Sequence, residues 1–544
     1  MKRGNKRMIS SAINLAYTYF EKNYDIHEFE EICTAIKVLA NKEDVSFFCI
    51  NEPKIYTYDG IQDLLSKLNE KESIRKKNGV YYTPPDLVSF IVINSVKSLY
   101  GKLDTSNISQ SNIEGVPYKS FCKTKTVYDP TCGAGEFLLF TAGLKFDLWS
   151  QNDRLTENTV FKIISTINGN DLNPDSVFIS KLRLFILTLK HFRKINYIKL
   201  AQVLNSNFTT IDFVSEPMIE RKFHIIIGNP PYVEDFKSGL KHKNRYGNIY
   251  ANVLKNASDI LEENGSLGFV IPISYISTPR MKKIREDLFE SIPVQYILNY
   301  ADRPDCLFDS VHQKLSVLIG KKRKCVKTIY TSAYHYWYKD ERKYLFQDIE
   351  MIKNIYATDN FIPKLGNRYD VDIYKKIVKN PNMISVYDTS RFGNESVYLN
   401  RRETFWMKAY RTFVADPDYK VFSYENESEA DFCYCLINSS LFWWYWIAVS
   451  DCWHVSKELN GFRTVKEFDI EKVMKMAMKL RTRLEETKVF VGTKQTDYEY
   501  KHKFCLPEIH EIDNYINELY GLTEEESNYI KEYALNYRTG GGAN

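Results

Sequence analysis

The sequence has no cysteine pair spaced as CxxC, no apolar run of membrane-spanning length and no large excess of charge of either sign. Each absence excludes a class of protein. The ten cysteines are scattered, and the nearest approach to a metal-binding spacing is Cys433 and Cys435, with Cys452 and His454 further on. Structural zinc sites space their paired cysteines more widely, so the expectation is no metal, and buried free thiols in a reducing cytoplasm. The longest apolar stretch, Leu436 to Val449, is broken by Asn438, Ser439 and Ser440 and is shorter than a bilayer needs. Met1 to Ser10 is basic but runs on into tyrosine, glutamate and aspartate, so neither a signal peptide nor a membrane partner is expected. With 74 basic and 69 acidic residues the net charge is only +5, so a nucleic-acid partner has to be met by a local patch.

At 544 residues the chain exceeds one ordinary core, and two or three domains are expected. The stretch that organises it is Phe223-His224-Ile225-Ile226-Ile227-Gly228-Asn229-Pro230-Pro231-Tyr232. An apolar run of strand type ends in two prolines, each without an N–H and each disfavouring helical geometry in the residue before it. A buried parallel strand thereby delivers the Asn229 amide, two rigid carbonyls and the Tyr232 ring to its carboxyl end, the edge at which open α/β sheets bind ligands. That set suits a planar exocyclic amine such as adenine N6, whose lone pair is delocalised into its ring. Two acceptors aimed at the amine hydrogens, the Asn229 side-chain oxygen and the Pro230 carbonyl, localise the lone pair. Tyr232 stacks on the base and holds it out of a duplex.

Other elements flank this loop. Thr83 reads as the cap of a helix that starts with Pro84. Thr126 to Leu138 reads as strand, glycine turn and helix, with Gly133 and Gly135 allowing backbone angles and a close approach that a side chain blocks. The turn is not GxGxxG, so a dinucleotide is not implied. Ile163 to Pro174 is the next strand and turn, and its Asp171 suits bidentate contact with ribose hydroxyls. Asp212 and Phe213 stand just before the Asn229 strand. After it, Lys237, Lys241, Lys243 and Arg245, with Gly239 and Gly247, form a basic loop suited to phosphates. Tyr250 to Leu261 reads as an amphipathic helix ended by Asn264-Gly265.

The Asn-Pro-Pro-Tyr tetrapeptide, the Tyr82-Thr83-Pro84-Pro85 element, Asp129-Pro130-Thr131-Cys132-Gly133-Ala134-Gly135 and the acids between them resemble the motifs of the γ class of N6-adenine DNA methyltransferases from restriction–modification systems. The resemblance covers roughly residues 76 to 325. It implies an α/β fold: a Rossmann-like, S-adenosylmethionine-dependent methyltransferase domain joined to a separate C-terminal DNA target-recognition domain. Asn229, Pro230, Pro231 and Tyr232 become the catalytic loop. Tyr82 and Thr83 close over the methionine end of S-adenosylmethionine. Asp129 takes its ammonium, the backbone at Cys132, Gly133 and Gly135 its carboxylate, and Asp171 its ribose. Asp212 accepts from its adenine amino group, and Phe213 lies against that ring. The implied partners are double-stranded DNA and a separate cognate restriction endonuclease. RNA and protein-glutamine methyltransferases carry the same tetrapeptide and are the alternative. A non-catalytic DNA-binding specificity subunit is the alternative of another class, and the intact Asn229, Pro230, Tyr232, Gly133 and Gly135 argue against it.

The organisation expected is an N-terminal helical extension at 1–75, a catalytic domain at 76–325, a target-recognition domain at 326–490 and a charged helical tail at 491–544 with a disordered-looking end from Arg538. Aromatic clusters concentrate in the third unit. Trp443 to Trp446 read as core, because a soluble protein does not expose so large an apolar block. Arg391, Arg401, Arg402, Lys408 and Arg411 are the candidates there for contact with DNA.

Overall fold

Strands β1 (Val127–Asp129), β2 (Ile167–Asn170), β3 (Phe208–Thr209), β4 (Phe223–Gly228), β5 (Leu261–Pro272), β6 (Val294–Tyr300), β7 (Leu315–Lys321), β8 (Thr328–His335) and β9 (Ile352–Lys353) form one sheet in the order β3-β2-β1-β4-β5-β7-β6-β8-β9. The computed structural model describes residues 2–41, 57–68, 82–110, 113–215, 220–238, 246–309, 312–380, 394–412, 418–455, 462–465, 467–492 and 498–541. Strands β1 to β6 run parallel, and β7 is inserted antiparallel between β5 and β6. The strand order reverses between β1 and β4, which opens a crevice at their carboxyl ends, the place where such sheets bind ligands.

Burial explains the strand sequences. Phe223, Ile225, Ile226 and Ile227 of β4 are all buried, because a parallel strand covered on both faces needs a continuous apolar run. Helices Pro85–Leu99, Glu136–Asn152 and Ile249–Asp259 pack on the sheet. The last helix begins at its cap Asn248, whose side chain accepts from the Tyr250 N–H, and stops at Asp259. Asn264-Gly265 therefore does not end a helix, as the sequence suggested. It lies within β5, where Asn264 takes a left-handed backbone with φ of 63°.

The N-terminal helices Lys2–Asn23, Ile26–Ala40 and Tyr58–Leu68 pack against helix Pro174–His191. That explains why Val177 to Leu189 is buried around the whole helix instead of along one stripe. The contact is polar at one point. Arg183 donates to the Ala134 carbonyl at 2.7 Å and pairs with Glu136, while Gln62 bridges to Arg183 and Ser66 to Glu136. The N-terminal helices thus brace the glycine turn.

The sheet runs on past residue 325, where the sequence suggested the catalytic unit ends. Strand β8 pairs parallel with β6, and β9 adds antiparallel to β8. Beyond lies a second sheet, β10 (Glu395–Asn400), β11 (Ala409–Tyr410) and β12 (Tyr419–Tyr424), with helices Glu427–Asn438 and Ser440–Val449. All of Ser440–Val449 is buried, and the indole N–H groups of Trp443, Trp444 and Trp446 donate to Thr404 O, Asp370 Oδ1 and His454 O. Among the described residues no single helix is long and apolar enough to cross a membrane. The chain end also departs from expectation. Arg538 is buried, donates to the Phe405 carbonyl at 3.0 Å and lies over the rings of Trp406 and Trp443 at 4.1 and 4.2 Å.

Replacing Arg183 by methionine leaves Glu136 and the Ala134 carbonyl without their buried donor. The expected loss of stability is about 3 kcal/mol, read from the denaturation midpoint.

Candidate active site

The crevice at the carboxyl ends of β1 and β4 gathers the site. At β1, Asp129 ends the strand, and the chain turns through Gly133 and Gly135, with φ of 52° and 90°, into helix Glu136–Asn152. Only glycine adopts this backbone without strain, and a Cβ on Gly135 would stand 2.3 Å from Ser180 Oγ. The turn is fixed from β2. Asp171 accepts from the Gly133 N–H at 2.9 Å with one oxygen and from the Asn173 N–H at 2.8 Å with the other. Asn170, which the sequence reading passed over, is a hub. Its amide donates to the carbonyls of Pro130 and Ile211, and its oxygen accepts from Thr209 and the Ile211 N–H.

Asp129 is 1% exposed and accepts from the Thr131 N–H at 2.9 Å. Burial pushes its carboxyl well above the ordinary range, and the neighbouring Asp171 adds to the shift. Burial also raises Asp171 and, with both carboxylates nearby, the Cys132 thiol. Cys132 is therefore an inert thiol whose contribution is its backbone, held by an N–H bond to the Asn170 carbonyl at 2.7 Å. Gly228 brings the two halves of the crevice together. A Cβ there would stand 2.7 Å from Asp129 Oδ1, so the bare backbone is what lets the acid and the Asn-Pro-Pro-Tyr loop adjoin.

At β4 the ladder stops at Gly228, as the prolines require. The Asn229 side-chain amide is held at both ends. Its Nδ2 donates to Thr83 Oγ1 at 3.2 Å, and its Oδ1 accepts from the Tyr232 hydroxyl at 2.6 Å. The same hydroxyl stands 3.0 Å from the Val270 carbonyl in β5. Tyr232 is half-buried with its hydroxyl turned inward, and burial holds that phenol well above its ordinary pKa. Pro230 is buried and Pro231 partly exposed.

The helix cap read at Thr83 is not formed, and the other rim residues take definite places. Thr83 does not cap the following helix: Pro84 occupies the cap position without a side-chain bond, the helix starts at Pro85, and the Thr83 hydroxyl is turned to Asn229. Tyr82, beside it, is 39% exposed. Asp212 accepts from the N–H groups of Val214 and Ser215, closing its own turn. Phe213 is 3% exposed and packed towards Tyr128, 6.0 Å between ring centres, so its face is not presented at the surface.

The basic candidates separate sharply. Lys241, Lys243, Arg245 and Arg391 lie outside the described residues. Arg401 and Arg402 are exposed. Arg411 is not: its side chain is 5% exposed, paired with Asp431 at 2.9 Å and Glu395 at 2.6 Å, and bonded to the Ser396 carbonyl. Its guanidinium is held in a buried ion pair and is not presented at the surface. Pattern alone does not separate it from its neighbours, because an arginine beside a strand reads the same whichever face it takes.

Residues 165–306 match the Eco57I restriction-modification methylase family. The resemblance read from the motifs holds at that level. The chain is 37% identical over 68 residues to a tRNA1(Val) (adenine(37)-N6)-methyltransferase of Christiangramia forsetii, a match covering 12% of this chain and 28% of that protein. Among solved structures, the type IIL restriction-modification enzyme MmeI in complex with DNA shares the fold, with a TM-score of 0.54 over 98% of this chain and 99% of that one at 10% identity. A nuclease-deletion mutant of the type ISP enzyme LlaGI, with a DNA substrate mimic, gives a TM-score of 0.47 at 14% identity, covering 88% of this chain and 53% of that one. The fold shared with MmeI is a mostly parallel, Rossmann-like sheet flanked by helices.

The donor set fits S-adenosylmethionine, the cofactor that the motif resemblance implies. A buried carboxyl held protonated by desolvation is one that a cationic ammonium returns to its charged form. If the ammonium pairs with Asp129, binding expels a proton from it, and affinity rises with pH until the medium passes the raised pKa of Asp129. The sign for the unliganded fold is opposite: stability from this group is full at low pH and is lost as pH rises through its folded-state pKa. Calorimetry over a series of pH values, in buffers of different ionisation enthalpy, is expected to show proton release on binding at the acid end, absent in Asp129→Asn.

For the arginines the expected outcomes also diverge. Arg401→Ala and Arg402→Ala weaken DNA binding and flatten its salt dependence by about one unit of slope each. Arg411→Met lowers the thermal midpoint.

Proposed function

We propose that this protein is a site-specific DNA methyltransferase that transfers a methyl group from S-adenosylmethionine to adenine N6 in duplex DNA after base flipping, as the modification part of a restriction–modification system. The observation that carries the reading is the Asn229 amide oxygen at the carboxyl end of β4, adjoining through Gly228 a buried acid and a glycine turn. The match of residues 165–306 to a restriction-modification methylase family and the fold shared with MmeI support it. A separate cognate endonuclease is assigned as its partner.

When bound, S-adenosylmethionine supplies an electrophilic methyl group. Asp129 would hold its ammonium and the turn at Cys132 to Gly135 its carboxylate. Asp171, whose two oxygens each keep a lone pair beyond their backbone bonds, would take the ribose and also hold the turn. Asp212 and the rim at Tyr82 are assigned to its adenine and methionine ends. The rest is the work of Asn229 and Pro230. Their oxygens accept the two hydrogens of the target amine, draw its nitrogen out of conjugation and aim its lone pair. The amine nitrogen would then bond to the methyl carbon as the methyl–sulfur bond breaks, S-adenosylhomocysteine would leave with that bond's electrons, and the surplus amine proton would pass to solvent. Rate enhancement comes from positioning and polarisation, with no covalent intermediate on the enzyme. Tyr232 offers its ring face to the flipped base. The part of residues 326–490 that lies beyond β9 is assigned to target recognition, with Arg401 and Arg402 on DNA.

A second reading, transfer to an RNA adenine, is favoured by the short match to a tRNA adenine-N6 methyltransferase. One assay separates them: labelled methyl transfer to duplex DNA, RNA and bulk protein in parallel. Label is expected as N6-methyladenine in DNA, and Asn229→Ala is expected to lose nearly all of it while binding S-adenosylmethionine normally. Label confined to RNA or protein, or full activity in Asn229→Ala, rejects the proposal.

A further inference from the structure

We infer that Thr83 and the Tyr232 hydroxyl are positioning groups that set which end of the Asn229 amide faces the target amine, with the Val270 carbonyl as a second seat for the tyrosine proton. The inference rests on the amino-methyltransferase reading above and assigns Thr83 to the chemical step, not to cofactor affinity.

The two ends of an asparagine side chain are nearly equal in size and opposite in hydrogen-bonding sense. Rotating the amide by half a turn presents two donors where the reaction needs an acceptor, and an amine cannot be polarised by a donor. A hydroxyl can donate or accept, and in this structure two of them take opposite roles at the two ends of the amide. Thr83 Oγ1 receives the Nδ2 hydrogen at 3.2 Å, and the Tyr232 hydroxyl donates to Oδ1 at 2.6 Å. Thr83 is 5% exposed and itself immobilised. It precedes Pro84 and Pro85 at the head of helix Pro85–Leu99, where Asp86 is clamped by the Arg342 guanidinium at 2.7 and 3.0 Å. Arg342 in turn donates to the carbonyls of Cys306 and Leu307, each at 3.1 Å.

The tyrosine adds a second property. Its hydroxyl has one proton and two acceptors in reach, Asn229 Oδ1 at 2.6 Å and Val270 O at 3.0 Å. The Val270 carbonyl only accepts. With the proton towards Asn229, the amide is locked with its oxygen at this end. As the target amine closes on Oδ1, the proton turns to Val270 by rotation about the C–O bond. No proton leaves the tyrosine, and no buried donor is stranded at either end of the movement. Burial keeps the phenol protonated throughout.

The test is a single-turnover methylation of duplex DNA at saturating S-adenosylmethionine, with cofactor affinity measured separately by calorimetry. Thr83→Val keeps the shape and removes the hydroxyl. It is expected to slow the single-turnover rate about tenfold, the worth of one hydrogen bond in the step, with cofactor affinity unchanged. Thr83→Ser restores most of the rate. Because both hydroxyls act through one amide, Thr83→Val with Tyr232→Phe loses less than the product of the two single losses. A wild-type rate in Thr83→Val, a loss carried by cofactor affinity, failure of Thr83→Ser to restore the rate, or independent effects in the double variant would each overturn the inference. Wild-type protein that transfers no methyl group to adenine overturns the proposed function, and this inference with it.

Discussion

Two consecutive prolines cannot take part as donors in a strand ladder, and that constraint at Pro230 and Pro231 shapes the centre of the molecule. Strand β4 has to stop at Gly228, and it stops at the crevice between oppositely wound halves of the sheet. Asn229 is therefore held by side chains instead of by the ladder. Thr83, Tyr232 and, behind it, the Val270 carbonyl come from three different parts of the chain. The glycine before the prolines matters equally, since a side chain there would occupy the space of the Asp129 carboxyl.

Buried arginines tie the peripheral segments to this centre. Arg183 joins the N-terminal helices to the glycine turn. Arg285 joins helix Lys282–Ser291 to the carbonyls of Asp359 and Asn360, and Arg538 joins the chain end to the tryptophans of the C-terminal half. Each guanidinium has several donors in a fixed fork and keeps its charge, so it satisfies carbonyls from two segments at once where a lysine would reach one. Burial lowers the Arg538 pKa to about 10, which leaves it charged at neutral pH. The helices and tail at the two ends of the chain thus bear on the same framework as the sheet.

Much of this was legible in the sequence, and the reason is local. A run of isoleucines closed by Asn-Pro-Pro-Tyr, and a strand followed by Gly133 and Gly135, carry their backbone consequences within a few residues. Strand β4, the glycine turn and the placing of Asn229, Asp129 and Asp171 at one sheet edge follow from that. The tryptophan block was read as core because its size leaves no other place for it, and Trp443, Trp444 and Trp446 are buried. What depended on the direction of a side chain was not legible. Arg401, Arg402 and Arg411 look alike in sequence, yet two are exposed and the third is sunk between Asp431 and Glu395.

The sequence by itself determined the chemistry that β4 presents and the order in which the acids and glycines meet it. Hydrogen-bond-poor prolines and side-chain-free glycines act on their own backbone wherever they stand. Only the tertiary structure decided that Thr83 faces Asn229 instead of capping its helix, that Phe213 turns towards Tyr128, that the sheet continues through β8 and β9, and that Gln62 and Ser66 brace the glycine turn. Those outcomes join residues up to 146 positions apart. They are set by which buried polar group lies within reach of which partner, and that is fixed when the elements pack together.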